Sequence, residues 1–176
     1  MVNWIRQLKT IMNAGILDIA VEQSLVKNDI PFEAIACDPS LADTADFCQA
    51  YGYDASQSAN ALVVASTKGE PLYACCLVLA DCRLDVNKVV RKKLGARRVS
   101  FASPEDTKRL TGMQLGGVTP FALPPELPLW VDSRVMACDK IIVGGGNRSS
   151  KILMPPAGLL KVPGLEVVEG LAIERS

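Results

Sequence analysis

Apolar positions change their spacing several times along the chain. Trp4, Ile5, Leu8, Ile11 and Met12 recur at helical intervals, and after Asn13-Ala14-Gly15 the same period runs over residues 16–26, so two N-terminal helices are expected. Residues 31–37 alternate imperfectly but are short and bounded by turn formers, which predicts a strand. Asp38-Pro39-Ser40 opens a third helix reaching about Tyr51, with Ser40 or Asp43 as N-cap. The period then shifts. Residues 61–65 and 72–80 are continuous apolar runs on either side of Thr67-Lys68-Gly69-Glu70-Pro71, the pattern of an antiparallel hairpin buried on both faces at the centre of a sheet. Residues 85–94 read as a helix ended by Gly95, and Ser103 with Pro104 marks another helix start, at N-cap and N1. Three further strands are expected around residues 129–132, 140–143 and 151–154.

The expected fold class is α/β, with a mixed, largely antiparallel central sheet surrounded by helices. With 176 residues and no repeat, low-complexity tract or linker, a single domain over 1–176 is expected, carrying an N-terminal helical extension at about 1–24. Composition narrows the setting. No apolar run approaches the roughly 18–20 residues of a membrane span, and the N-terminus shows no secretory pattern, so a cytoplasmic protein is expected. The six cysteines, Cys37, Cys48, Cys75, Cys76, Cys82 and Cys138, form no CxxC pair and read as reduced, small apolar residues. Histidine is absent, which excludes Ser-His-Asp and Cys-His catalysis as usually built, the HExxH zinc site and any imidazole base. Neither a metal nor a cofactor is expected. Chemistry must come from carboxylates, lysine, hydroxyls, thiols, backbone amides or the substrate itself.

The formal net charge is zero, but Lys88, Arg91, Lys92, Lys93, Arg97 and Arg98 fall within eleven residues without an intervening acid. The cluster could hold RNA phosphates, or be a solvated helix face; no interleaved aromatics decide between the two. Glycine marks two further segments. In Thr111-Gly112-Met113-Gln114-Leu115-Gly116-Gly117-Val118-Thr119-Pro120 the backbone is left uncovered, so it can approach a ligand and stabilise an oxyanion, or simply turn tightly. Gly144-Gly145-Gly146 precedes Lys151 without the GxxxxGK[ST] spacing of a phosphate loop, and a hairpin turn is the better reading. Asp132 and Asp85 stand at element ends as site residues or caps.

In order, the segments CRLDVNKV (82–89), TGMQLGGVTP (111–120), VDSRV (131–135), VGGG (143–146) and LEVVEGLA (165–172) resemble the YbaK/EbsC family, the editing domains associated with prolyl-tRNA synthetase. The resemblance covers roughly residues 25 to 172. It implies a deacylase acting on the ester of a mischarged tRNA, tRNA for proline among the candidates, with the tRNA acceptor end as partner. A synthetase is a further candidate partner, and neither DNA nor a membrane is expected. It implies that Gly116, Gly117, Val118, Thr119 and Pro120 are the loop contacting the aminoacyl ester and terminal adenosine. Asp132, Gly144, Gly145 and Gly146 match positions near the same pocket. The resemblance breaks at Asn60, which stands where family deacylases commonly carry a lysine. An amide lacks that charge but can hydrogen-bond a ribose hydroxyl, an ester carbonyl or a water. Lys151 is a candidate replacement, and Cys37, at a position where many relatives have histidine, reads as a buried small residue. The basic residues Arg91, Lys92, Lys93, Arg97 and Arg98 become candidate tRNA contacts. The alternative is a binding module of the same fold that takes an aminoacyl-adenosine end without hydrolysis; a scaffolding partner for a synthetase is a third reading.

Overall fold

The computed structural model describes residues 15–176; the first expected helix, 4–12, lies outside them. Helix α1 (Ile19–Lys27) begins where Asp18 accepts from the Ala20 and Val21 amides, and it buries Val21 and Leu25. Strand β1 (Glu33–Ala36) follows. The third expected helix is divided. Asp38 caps a 3-10 turn (Pro39–Leu41), and α2 (Thr44–Tyr51) starts afresh after Asp43, whose carboxylate makes no capping bond and pairs instead with Arg148 at 3.3 Å.

The two apolar runs form β2 (Ala59–Ser66) and β3 (Tyr73–Leu79), antiparallel from Ala59↔Leu79 to Ala65↔Tyr73. β4 (Cys82–Leu84) leads into a wide π turn (Val86–Val90) and one turn of helix, α3 (Arg91–Leu94), in place of the continuous helix expected there. β5 (Val99–Phe101) precedes α4 (Pro104–Thr111), where Ser103 Oγ accepts from the Asp106 amide at 3.0 Å. The remaining elements are β6 (Leu129–Asp132), α5 (Ser133–Met136), β7 (Ile141–Gly144), β8 (Ser150–Met154), a 3-10 segment (Pro156–Lys161), β9 (Leu165–Val168) and β10 (Ala172–Glu174).

The main sheet has the order β5-β2-β3-β6-β9, antiparallel at β5/β2/β3 and parallel at β3/β6/β9. A second, antiparallel sheet has the order β1-β8-β7, and β10 pairs with β4. The fold is therefore the expected mixed α/β class. β3 is central and buried from Ala74 to Leu79, as a continuous apolar run requires. β2 differs: Asn60, Ala61 and Leu62 are only half-buried. Its outer edge pairs with β5 only at Val64–Ser66 and meets β7 by a single parallel bridge, Ser58↔Ile142. Among the described residues no strand pairs with the edge between those two contacts.

The six cysteines are free thiols, and burial pushes Cys75 up to about 12. Among the described residues no helix is long and apolar enough to cross a membrane.

Asp132 corrects one expectation. It is buried, but it lies away from the cavity described below: its Oδ1 accepts from the Arg134 amide at 3.0 Å and its Oδ2 from the Ala172 amide at 2.8 Å. It caps α5 and ties β10 to the sheet. Asp132→Ala leaves both amides without their acceptor and should lower unfolding free energy by about 2–4 kcal/mol in denaturant titration, from two lost bonds at a buried site.

Candidate active site

The open stretch of β2 forms one wall of a cavity of about 190 Å³. Ser58 to Leu62 face Ile142, Val143 and Gly144 of β7, with Leu115, Gly116 and Val118 from the glycine loop and Ala42, Asp43, Thr44 and Phe47 from the start of α2. Lys151 closes it from β8. The volume suits a small acyl group, being below the roughly 300–1,000 Å³ of sites that engulf larger ligands.

Lys151 is 6% exposed, and its ammonium is held by two carbonyls, Ala42 O at 2.6 Å and Gly116 O at 3.0 Å, with the Phe47 ring centroid 5.6 Å away. An ammonium carries three donors, and among the described residues only these two acceptors engage it. Burial is the largest influence on this group and holds its pKa below the ordinary lysine value, while Cys37 acts in the opposite direction. Asn60 sits across the cavity on β2, and its Oδ1 accepts from Thr44 Oγ1 at 2.7 Å. With the oxygen engaged, the amide nitrogen is left as a donor.

The glycines permit close approach of two loops. Gly116 has φ +86°, and a Cβ there would strike the Arg148 guanidinium. A Cβ on Gly117 would lie 2.6 Å from the Asn147 carbonyl, and one on Gly144 would run into Val118 O. The Gly146 amide donates to Gly117 O at 2.8 Å, joining the β7–β8 turn to the loop. Residues 38–162 match the aminoacyl-tRNA editing domain.

The chain belongs to this family. It is 29% identical over 115 residues to the multifunctional Ser/Thr-tRNA deacylase ProXp-y of Escherichia coli K12, covering 64% of this chain and 68% of that protein. The crystal structure of hypothetical protein APE2540 has a TM-score of 0.77 at 24% identity, covering 88% of this chain and 99% of that one. That of a candidate trans-editing enzyme for prolyl tRNA synthetase has a TM-score of 0.73 at 24% identity, covering 89% and 96%. The expected fold and deacylase class agree with the family and with the name of the curated relative.

The editing-domain cavity gathers Asn60, Gly116, Val118, Gly144 and Lys151. Gly117 and Gly146 buttress it from behind, and Gly145 O accepts from the Asp18 amide at the base of α1. Thr119 and Pro120 are buried behind the loop outside the lining, and Thr119 Oγ1 has no hydrogen-bond partner among the described residues. The basic cluster lies elsewhere: Arg91, Lys92, Lys93, Arg97 and Arg98 are exposed and none lines the cavity. Lys93 meets an acid that sequence proximity does not reveal, pairing with Glu166 of β9 at 2.6 Å above the Trp130 ring. Cys37 is buried, and its thiol is pushed up by burial even though Lys151 and Arg148 act to lower it.

Sequence reasoning passed over Thr44 and Arg148. The Arg148 guanidinium donates to Leu115 O at 2.8 Å and to Pro39 O at 3.0 Å, clamping the glycine loop to the segment before α2. Arg148 stands in the β7–β8 turn and Lys151 in β8 itself, so no strand or helix period links the two in sequence.

Two outcomes are expected. By NMR titration the Lys151 side chain should show a midpoint below the roughly 10.4 of surface lysines. Between that midpoint and the unfolded value the unfolded chain binds more protons, so stability should rise with pH there, and Lys151→Met should remove the slope. Gly144→Ala should cost about 1–3 kcal/mol in denaturant titration, since the methyl group displaces the Val118 carbonyl.

Proposed function

We propose that this protein hydrolyses the ester of mischarged tRNA in trans, with Lys151 supplying the cation that Asn60 cannot. The observation that carries this reading is the buried Lys151 ammonium, which among the described residues has two of its three donors engaged, in a cavity of acyl-group size. Water attacks the ester carbonyl carbon, the carbonyl oxygen takes up negative charge, and the C–O bond to the terminal ribose breaks with the proton passing to the leaving hydroxyl. The third Lys151 N–H and the Asn60 amide nitrogen stabilise the developing oxyanion, a contribution worth about 10²–10³ in rate per donor. Asn60 also serves to hold the water or a ribose hydroxyl. The Gly116 backbone orients the ester, Gly117 supports it from behind through its bonds to Gln114 and Gly146, and Val118 closes the apolar side.

The terminal adenosine lies outside the cavity, against the exposed Leu115 side chain. Farther along the RNA, Arg91, Lys92, Arg97 and Arg98 meet phosphates, whereas Lys93 is engaged with Glu166. The amino acid removed is small. Serine and threonine, named for the curated relative, are the first to test, and tRNA for proline is one carrier to include. A cytoplasmic site of action fits a tRNA substrate, and a synthetase partner would feed the enzyme its substrate.

The uncharged Asn60 favours a second reading, a module that binds aminoacyl-tRNA ends without cleaving them. A panel of mischarged tRNAs separates the two. Editing predicts release of at least one amino acid and a drop of about 10²–10³ in single-turnover rate for Lys151→Met, with tRNA affinity within a few-fold. Tight binding with no release from any member identifies the binding module. Reversing Arg97 and Arg98 to Glu should weaken tRNA binding and flatten its salt dependence without changing the rate at saturation.

A further inference from the structure

β2 offers the cavity a main-chain contact that no side chain announces. Along a strand, successive backbone N–H and C=O pairs point to alternate edges. Ser58 O accepts from the Ala80 amide, and the Ser66 amide donates to Leu72 O, so even-numbered residues of β2 face β3. Val63 O accepts from the Ala102 amide, and the Thr67 amide donates to Arg98 O, so odd-numbered residues face the outer edge. By this parity the Ala61 N–H and C=O point outward. β5 pairs only from Val64 onward and the β7 bridge lies at Ser58, so neither strand covers Ala61. Ala61 is half-buried and lines the cavity. Its donor and acceptor are thus adjacent main-chain groups facing the proposed acyl site.

We infer that Ala61 is the subsite for the amino-acid backbone: its C=O accepts from the substrate's α-ammonium and its N–H donates to the ester carbonyl. The aminoacyl group then sits as a single-residue antiparallel partner of Ala61, exchanging two hydrogen bonds as directly opposed residues do in a sheet. Such a contact reads the part every amino acid shares and leaves selectivity to the walls. It also adds the Ala61 amide to Lys151 and Asn60 as a third donor to the developing charge on the carbonyl oxygen. The inference rests on the editing reading, because it needs an aminoacyl ester in this cavity.

The test uses two stable probes: adenosine bearing a 3′-L-alanylamino group, and its L-lactoylamino counterpart, in which a hydroxyl replaces the ammonium. Saturation of the wild-type protein with the alanyl probe should slow exchange of the Ala61 amide at least tenfold by NMR, and the lactoyl probe should bind at least tenfold more weakly. Ala61→Pro replaces the outward N–H by the ring Cδ, a change sheet edges tolerate, and should raise the Kd of the alanyl probe tenfold or more. Binding of the alanyl probe with an unprotected Ala61 amide, or with an unchanged Kd in folded Ala61→Pro, overturns the strand-edge subsite alone. Should that variant not fold, amide protection in the wild type decides. Failure of the wild-type protein to bind either probe overturns the editing reading and this inference together.

Discussion

A lysine ammonium leaves water only where other oxygens take over its solvation, and Lys151 obtains them from two backbone carbonyls, Ala42 and Gly116. Those carbonyls belong to different parts of the chain, one before α2 and one in the glycine loop. The same ammonium therefore holds two walls of the cavity together and carries charge into it. Arg148 reinforces the arrangement from the rim, and the 42–44 segment continues it: Ala42 accepts from Lys151, while Thr44 engages the oxygen of Asn60.

The loops reach Lys151 because glycine lets them. Gly117, Gly144 and Gly146 bring the 113–118 loop and the β7–β8 turn into main-chain contact, a packing that any Cβ at Gly117 or Gly144 would disrupt. Asp18 and Asn147 extend the contact to the base of α1, through the Gly145 and Ile16 carbonyls. The N-terminal segment thus supports the turn that supports the site. The open edge of β2 completes the enclosure, since a strand paired along its whole length would have filled the cavity.

Much of this was legible in sequence wherever the signal was local. The apolar runs of β2 and β3, the Ser103-Pro104 helix start and the strands near 129, 141 and 151 each carry their own periodicity or cap. β4, β5 and β10, three residues apiece, are too short to show a period. The division of the helix after Asp38 falls at Asp43, whose extended backbone interrupts it and whose carboxylate pairs with the distant Arg148. The site divided along the same line. The glycine loop could be singled out from its composition and Asn60 from the family resemblance, whereas Asp132 was readable as site residue or cap and only the fold shows the cap. The coupling of Thr44 to Asn60, the clamp by Arg148 and the pairing of Lys93 with Glu166 join residues far apart in sequence, and only the fold brings them together.

The central claim is that the site's positive charge has moved from β2 to β8 without leaving the cavity. Returning it to β2 tests this directly: Asn60→Lys combined with Lys151→Met, compared with each single substitution in single-turnover deacylation of the best mischarged tRNA. The account predicts that the double variant recovers to within about tenfold of the natural rate while Lys151→Met alone stays about 10²–10³ below it. A Lys151→Met enzyme as fast as the natural one would contradict it.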